Sequence, residues 1–557
     1  MEYFKVVMMI FGGLGALLIG IHTLSDNLTK IAHSKLRTML NKTAGNRFAG
    51  VGIGAAVTVI GQSSAFTTIM VVGLVNAGVM TLFQATAIIM GANVGTTLTL
   101  WVLSLGDVVT TTFLCTTAIG VFMGMFSKNE KVKSIGNALA SFGLIFVGLK
   151  FMSLAFNKNL FPDFVGNVQG LLTSVTNLNR FGASFLLLFI GILMTALVQS
   201  STAVNSIIIA MMTVTGGGTA ITGNAIYFLI IGANIGTCVT ALISSFGANP
   251  NAKRAALIHF MFNFFGALIF TVLLLAWEGF ADTILVGLFK NDPNLQIAMF
   301  HTLFNLICTV LFLPCIKIFV KIANFVIRDK KEKPEKVSKT TEILAELDER
   351  LMRTPSVALG QIYQGAGKLL SYAMETMNRA FEAFVAKDLS VTENVQERNV
   401  KLINANRSMV EYLVKLSATS LVMDEEKTVS NLHYVLNDIV RVGEIADNFT
   451  KYTAHYVNDN LVFSDEFIEM ITDLHEKTKN LYALSLDTFL TKNKKGLSEV
   501  DKLEDEIDNT KKQIVTMHIQ RLNEGKCQPE NSSVFINLVG NLERAADHIT
   551  FIAHSIE

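Results

Sequence analysis

The chain has 557 residues, which is enough for several domains. Apolar residues make up 51% of it and charged residues only 16%, well below the roughly 25% charged that is typical of soluble proteins. Apolar runs dominate residues 1–327 and charged residues dominate 328–557, so the net charge of +1 averages two unlike halves. No basic stripe with interleaved aromatic residues occurs, which excludes a nucleic-acid-binding protein. The five cysteines show neither metal-ligand spacing nor a disulfide framework.

Seven apolar runs in the first half are near 20 residues long, the length that a hydrocarbon core of about 30 Å requires. They lie at 6–24, 82–104, 108–126, 135–156, 225–246, 255–277 and 297–325. Two longer apolar stretches, 48–75 and 181–215, are interrupted near the middle by Gln62-Ser63-Ser64 and by Gln199-Ser200-Ser201. The sequence therefore predicts an all-α, polytopic membrane protein with two broken segments.

The membrane half contains two copies of one unit. The segments Asn46–Phe48, Gln62–Ser64 and Gly91–Thr96 recur in the same order as Asn179–Phe181, Gln199–Ser201 and Gly232–Thr237. We predict repeat 1 at about 5–126, repeat 2 at about 135–277 and an extra helix at 297–325, within a membrane domain of residues 1–327.

The distribution of Lys and Arg predicts the orientation. Loops rich in these residues favour the cytoplasm, and they occur at 30–47, 128–133, 253–254 and from Lys317 onward. This rule puts the N-terminus outside. It requires 48–75 to begin and end inside and 181–215 to begin and end outside, so each is predicted to be a re-entrant hairpin. Because each repeat has an odd number of crossings, the two repeats are predicted to be inverted; the lone Arg180 departs from the charge rule.

The two broken segments are the predicted transport site, because irregular backbone at membrane depth survives only inside protein or around a water-filled cavity. Helix N-termini suit an anion, and neutral side-chain oxygens suit Na⁺ where no Asp or Glu lies deep in an apolar run. The predicted substrate- and ion-binding residues are Gln62, Ser63, Ser64, Thr67, Asn93, Thr96, Gln199, Ser200, Ser201, Thr202, Asn205, Asn234 and Thr237.

Some polar and small residues near these segments have an alternative role in helix packing. Small-xxx-small spacing is typical of closely packed helices, and it applies to Gly91, Gly95, Gly232 and Gly236. His259 and His301 are each followed four residues later by an asparagine, and we interpret them as interhelical hydrogen-bond partners rather than ligands.

The doubled motifs resemble those of the type II sodium/phosphate cotransporter family, which has a QSSS- or QSST-type motif in each of two inverted repeats and a G-A-N-x-G-T segment downstream. The resemblance covers nearly all of residues 1–325 and implies Na⁺-dependent movement of inorganic phosphate across a bacterial inner membrane by a protein that is not an enzyme. Ala65 departs from the fuller serine motif. Two other functions stay open: Na⁺-coupled transport of sulfate or a carboxylate, and phosphate sensing without net transport.

A charged linker at 328–339 precedes a helical tail at 340–557. Apolar residues recur at helical spacing around 357–386, 389–421, 427–456, 466–492, 498–523 and 531–555, which predicts two three-helix bundles. The tail resembles the PhoU family, which implies a cytoplasmic regulatory domain with a signalling partner or self-association. Glu543 and Asp547 match that family's E-x-x-x-D motif and imply a divalent metal, the alternative being a solvated acidic face.

Overall fold

The computed structural model describes residues 1–41, 46–104, 107–176, 178–214, 224–289, 292–328, 339–353, 355–419, 421 and 423–557. Within these ranges the side chains are described except at 32–41, 107–114, 172–173, 176, 212–214 and 353. The predicted basic residues of 32–45, the loops at 105–106 and 216–223 and the linker residues 329–338 therefore lie outside the described side chains. The chain divides into two compact units, Met1–Lys331 and Glu332–Glu557. No strand occurs among the described residues.

The first unit has fourteen α-helices in the part of the chain that the structure describes, besides a π-helix at Ala281–Val286 and a 3₁₀ turn at Leu313–Cys315. They are α1 (Glu2–Asn41), α2 (Arg47–Gly61), α3 (Ser64–Asn76), α4 (Leu82–Ser104), α5 (Asp107–Phe126), α6 (Glu130–Ala155), α7 (Pro162–Thr176), α8 (Arg180–Val198), α9 (Ser201–Val214), α10 (Ala225–Gly236), α11 (Cys238–Ser244), α12 (Pro250–Ala276), α13 (Pro293–Phe312) and α14 (Ile316–Val326). Seven described segments are long and apolar enough to cross a membrane when α10 with α11 and α13 with α14 are each counted as one segment, which confirms a polytopic membrane protein.

Four features of this unit differ from the prediction. Helix α1 continues to Asn41, through residues predicted as a loop, because Lys and Arg are good helix formers. Residues 157–179, which separate the predicted run 135–156 from the second broken stretch, contain α7. Residues 253–254, also predicted as a loop, lie in the first turns of α12. The predicted run 297–325 is divided into α13 and α14 by a 3₁₀ turn that contains Pro314.

The first broken stretch folds back on itself. Helices α2 and α3 meet at Gln62, and the Oγ1 atoms of Thr58 and Thr67, on opposite sides of this junction, lie 2.8 Å apart. In a continuous helix two residues nine positions apart would be about 13 Å apart along the axis. The chain therefore reverses direction between Thr58 and Thr67. The second stretch breaks at the corresponding residue, Gln199, between α8 and α9.

Each broken stretch packs against the helix that carries the downstream glycines. A Cβ atom on Gly91 would overlap the carbonyl oxygen of Val51, and one on Gly95 would lie 2.5 Å from that of Ala55. Because residue numbers increase together along the two backbones, α2 and α4 run parallel. The same contacts recur in the second copy, where Gly232 meets Leu188 and Gly236 meets Ile192, so α8 and α10 also run parallel. These four glycines have the packing role that their spacing allowed.

Helices α1 and α6, the first helices of the two copies, pack closely through glycine. Gly13 faces Gly148, and a Cβ on Gly13 would lie 2.7 Å from the Gly148 carbonyl oxygen. Gly20 faces Ser141, and its Cβ would lie 2.9 Å from that carbonyl oxygen. Residue numbers therefore increase in opposite directions along the two helices, and α1 and α6 are antiparallel.

The open ends of the two broken stretches lie at opposite ends of α12. At the α12 N-terminus, the Asn249 amide N–H donates to Asn76 Oδ1 at the end of α3, over 2.8 Å. At the α12 C-terminus, Arg180 at the start of α8 donates to the Leu274 carbonyl over 3.1 Å and pairs with Glu278. Since α12 has 27 residues, these ends are about 40 Å apart.

In the described part of the chain, the second unit is a set of one short helix, α15, and six long amphipathic helices. They are α15 (Lys339–Ala345), α16 (Pro355–Ala386), α17 (Thr392–Ser417), α18 (Met423–Asn458), α19 (Asp465–Thr491), α20 (Leu497–Asn523) and α21 (Ser532–His554). Helices α16–α18 pack on one another, as do α19–α21, which agrees with two three-helix bundles. The core includes fully buried Phe384, Phe449 and Phe489. Periodicity therefore predicted all six long helices, and only the short α15 was missed.

Candidate functional site

Both broken stretches turn at a glutamine with a left-handed backbone. Gln62 has φ 48° and Gln199 has φ 57°, a region that costs a residue with a Cβ roughly 1 kcal/mol or more. Such strain persists only where the surroundings enforce it, and it concentrates at functional sites. Its recurrence at equivalent residues of two copies marks the two turns, which we call the hairpin tips, as the candidate site.

A serine caps the helix that follows each tip. Ser63 Oγ accepts a hydrogen bond from the Phe66 amide over 3.1 Å, and Ser200 Oγ accepts one from the Ala203 amide over 3.2 Å. The other first-turn N–H groups of α3 and α9 have no carbonyl partner within the helix, and they carry the positive end of its dipole. Each tip therefore offers amide donors that suit an anion.

The side chain of Gln62 is held between two helices. Its Nε2 donates to the Val59 carbonyl over 2.7 Å, while its Oε1 accepts from Thr99 Oγ1 on α4 over 2.9 Å. The Gly61 carbonyl next to it accepts from Ser25 Oγ on α1 over 2.7 Å. The first tip is thus fixed to the helix that carries Asn93 and Thr96.

The asparagines of the two G-A-N-x-G-T segments bond to two neighbouring helices, one to α12 and the other to α13. Asn93 Oδ1 accepts from Asn263 Nδ2 of α12 over 3.5 Å, and Asn234 Oδ1 lies 3.0 Å from His301 Nε2 of α13. Asn263 Nδ2 and Cys238 Sγ both reach the His259 carbonyl, at 3.1 and 3.6 Å. A buried polar network therefore connects the downstream segments of the two copies. His301 has the interhelical hydrogen bond that its sequence position suggested.

Several buried polar atoms in this core have no hydrogen-bond partner among the described residues. They are Thr68 Oγ1, Thr195 Oγ1, both amide atoms of Asn205, Asn234 Nδ2, both ring nitrogens of His259, Asn263 Oδ1, His301 Nδ1 and Asn305 Oδ1. An unpaired buried polar group costs about 1–3 kcal/mol, so water, ions or substrate must satisfy this set. Five of these residues (Thr68, Thr195, Asn205, Asn263 and Asn305) supply neutral oxygens, which suit a hard monovalent cation. The residues present therefore fit Na⁺.

The remaining predicted site residues lie beside these groups. Ser64, Thr67, Ser201, Thr202 and Asn205 are buried in the first turns after the tips, and Thr96 and Thr237 are buried on α4 and at the α10–α11 junction. The Thr67 hydroxyl is hydrogen-bonded to that of Thr58. The hydroxyls of Thr96 and Thr237 instead donate to backbone carbonyls of the preceding helical turn.

Sequence reasoning missed Thr58, Thr195 and Thr99. Thr58 and Thr195 each stand four residues before the tip glutamine, so the recurring Thr-x-x-x-Gln spacing was a signal that could have identified them. Thr99 also recurs, as Thr240, at the same distance after the G-A-N-x-G-T segment.

The tail does not support the divalent metal predicted at Glu543 and Asp547. Glu543 pairs with Lys511 Nζ at 2.5 Å. Burial and the nearby Glu543 and Asp508 carboxylates raise the pKa of Asp547. No group of three or more His, Cys, Asp or Glu side chains suitable for a metal ion occurs in the part of the chain that the structure describes.

Comparison with known proteins agrees with this architecture. The sequence model of the Na⁺/Pi-cotransporter family matches residues 16–154 and 160–288, and that of the PhoU domain matches residues 471–556. The fold and these matches define a polytopic membrane transport protein rather than an enzyme. Its membrane unit belongs to the Na⁺/Pi-cotransporter family, and its C-terminal unit carries a PhoU domain.

Three relatives cover different parts of the chain. The uncharacterized protein YqeW of Bacillus subtilis is 28% identical over 314 residues, covering 56% of this chain and 94% of that protein. The putative inorganic phosphate export protein YjbB of Escherichia coli K12 is 23% identical over 556 residues, covering 96% and 95%. PhoU homolog 1 of Thermotoga maritima, a phosphate-specific transport system accessory protein, is 21% identical over 195 residues, covering 34% and 81%. No solved structure matches the chain.

Proposed function

We propose that this protein is a Na⁺-coupled transporter of inorganic phosphate. The observation that carries the proposal is the pair of strained glutamine turns, each followed by a serine-capped helix N-terminus, in a membrane unit of the Na⁺/Pi-cotransporter family. Two opposed helix ends would supply N–H donors and positive dipole charge to a phosphate oxyanion.

In this proposal the two copies are inverted and the broken stretches are re-entrant hairpins. The antiparallel packing of α1 and α6 supports inversion, since these are corresponding helices. The parallel pairs α2–α4 and α8–α10 support re-entry, because a stretch that crossed the membrane would run antiparallel to the next crossing. The open ends at opposite ends of α12 support entry from opposite faces.

The chain's own residues have distinct roles in this mechanism. Ser63 and Ser200 fix the helix ends on which the anion would bind, and Gln62 and Gln199 hold the turns that expose those ends. Oxygens of Thr68, Asn205 and Asn263 would hold Na⁺, whose charge offsets that of the anion when it is bound. Asn93 and Asn234 would transmit changes at one tip to the other through α12 and α13.

Sodium-dependent flux in reconstituted vesicles tests this function. Purified protein in liposomes should accumulate labelled phosphate when a Na⁺ gradient is applied, and replacement of Na⁺ by K⁺ should abolish accumulation. Excess sulfate or a small carboxylate should not compete. Competition by either would assign the other anion, and saturable phosphate binding without flux would indicate a sensor.

The direction of transport has a second candidate, export. The E. coli relative that matches along nearly the whole chain is named as a putative phosphate exporter. Vesicles preloaded with phosphate decide between the two directions. If the tail lies on the cytoplasmic side, an exporter should carry phosphate from the side of the tail and release it on the opposite side.

We further propose that residues 340–557 regulate flux from the cytoplasm and that residues 328–339 form the linker. Cys527 is the tail's one cysteine. A membrane-impermeant maleimide should label it only after cells are opened. A chain ending at residue 339 should retain Na⁺-dependent flux but lose any response to phosphate supply, and the full chain provides the control.

A further inference from the structure

The tail contains a cavity that has no part in the proposed transport function. It has a volume of about 240 Å³ and lies among the start of α19, the end of α20 and the start of α21. The segments before α19 and before α21 complete its wall. Pockets of this kind, with apolar walls and a few polar groups, are typical of small-ligand sites.

One wall of the cavity is a column of flat rings. The Phe467 and Phe535 rings stack with centroids 4.3 Å apart, and the His518 ring stacks on Phe535 at 3.8 Å. Phe463 joins the column at 4.9 Å from Phe467. Burial and the neighbouring Arg521 lower the pKa of His518, which favours a neutral ring that stacks like the phenylalanines. Because the inner rings cover one another's faces, a planar ligand would pack against the ring edges or stack on a ring at the end of the column.

Two cations border the same cavity. Arg521, at the end of α20, pairs with the half-exposed Glu466. Lys526 pairs with Glu524 at 2.7 Å and keeps 64% of its side chain exposed. Both carboxylate partners are solvent-accessible, so an anionic ligand could replace them without leaving a buried charge unpaired. Arginine and lysine together are typical of phosphate recognition.

A buried amide completes the lining. Asn531 is 4% exposed, and its Nδ2 donates to the Val462 carbonyl, another residue of the cavity wall. Its Oδ1 has no partner among the described residues. A buried acceptor without a donor costs stability, so a ligand donor or an ordered water would complete this site.

We propose that this cavity binds a mononucleotide, with the base against the ring column, an N–H of the base directed to Asn531 and the phosphate held by Arg521 and Lys526. A purely apolar ligand would leave both cations and the amide unused, and an inorganic anion would leave the rings unused. The site would make the tail responsive to a nucleotide independently of transport.

Titration calorimetry on the full chain in detergent tests the proposal with AMP, GMP, CMP and UMP as separate probes. At least one should bind saturably, while its nucleoside and ribose 5-phosphate should each bind at least about tenfold more weakly, because each lacks one half of the recognition. Lys526→Gln should weaken binding by about twofold to fivefold and Arg521→Gln by about tenfold.

The matched control is Lys512→Gln, an exposed lysine on α20 outside the cavity, which should leave affinity unchanged. Absence of saturable binding by all four nucleotides would overturn the proposal. So would ribose 5-phosphate binding as tightly as the nucleotide, or an affinity that Lys526→Gln leaves unchanged. Lys526 is exposed, so this variant remains informative even if Arg521→Gln does not fold.

Discussion

The hydroxyl oxygens of Thr58 and Thr67 lie 2.8 Å apart across the first hairpin tip. At the equivalent positions of the second copy stand Thr195 and Val204, and the Thr195 hydroxyl has no partner among the described residues. The two tips therefore share a backbone turn but differ in their side-chain support. The first is held by a side-chain hydrogen bond across the turn, and the second lacks the equivalent bond.

Replacing Thr67 by valine should destabilise the membrane unit. The change would leave the buried Thr58 hydroxyl unpaired, at a cost of about 1–3 kcal/mol. Thermal unfolding of the protein in detergent measures the loss. Thr67→Ser keeps a hydroxyl and should stay near the native midpoint. Equal stability of the valine and serine variants would show that this hydrogen bond contributes nothing.

Glycine substitutions at the two tips should distinguish the effect of backbone strain on stability from the role of the glutamine side chains in binding. Gln199→Gly relieves the left-handed conformation and should retain or raise stability by up to about 1 kcal/mol. Gln62→Gly relieves the same conformation but also removes the side-chain hydrogen bonds to Val59 and Thr99, so it should be less stable than Gln199→Gly by about 1–3 kcal/mol. Both variants should nonetheless lose phosphate flux, as should Gln62→Ala and Gln199→Ala, with membrane insertion intact. Vesicle uptake and thermal unfolding on the same samples check this, and normal uptake by any of these variants would remove the site assignment.

Alanine at Gly91 or Gly232 should disrupt the packing between each hairpin and its neighbouring helix. The new methyl group would overlap the Val51 or Leu188 carbonyl oxygen, at a cost of about 1–3 kcal/mol or more. Gly52→Ala on α2 is the matched control, since nothing lies within 4 Å of its Cβ position. That control should be neutral or gain up to about 1 kcal/mol from helix propensity. Reduced expression or a lower unfolding temperature for Gly52→Ala alone would contradict the packing assignment.

His475 should make the tail sensitive to acid. Its ring stacks on Phe381 and is 3% exposed, and burial lowers its pKa to about 4. Between the unfolded pKa near 6.5 and this folded pKa, the unfolded chain binds a proton that the folded chain does not. Stability is therefore fully present above pH 6.5 and falls by about 3 kcal/mol as the pH approaches 4.

Hydrogen–deuterium exchange of α16 and α19, compared between variants at the same pH, measures this acid sensitivity. His475→Phe should remove most of the acid-induced increase in exchange, whereas His455→Phe, at an exposed position, should not. An unchanged pH dependence in His475→Phe would exclude His475 as the cause.

The sequence revealed two kinds of feature: polar residues whose burial carries a strong local free-energy cost, and helices whose hydrophobic period extends over many residues. A glutamine in the middle of an apolar run predicted both breaks, since its amide must find partners inside the protein. The amphipathic period predicted all six long helices of the tail. The recurring Asn-Arg-Phe proved to contain a helix cap: Asn46 and Asn179 accept hydrogen bonds from amides in the first turns of α2 and α8.

Other features depend on tertiary contacts that no local pattern reports. Arg180 departed from the charge rule because Glu278 and the end of α12 hold it. Helix α7 was missed because its apolar content is too low and its length too short for a crossing. The sequence also did not reveal which of the two buried histidine rings has a side-chain partner. His301 meets the Asn234 amide of repeat 2, whereas the His259 ring meets no partner among the described residues.

The glycine contacts at Gly91 and Gly232 limit how a conformational cycle could proceed. Where two backbones touch, neither helix can slide by a turn without steric collision, so α2 must travel with α4 and α8 with α10. Each tip would then move as part of a rigid block rather than as an independent gate. Alternating exposure of the site to the two membrane faces would then require these blocks to move against α12 and α13, where side chains rather than backbones are in contact.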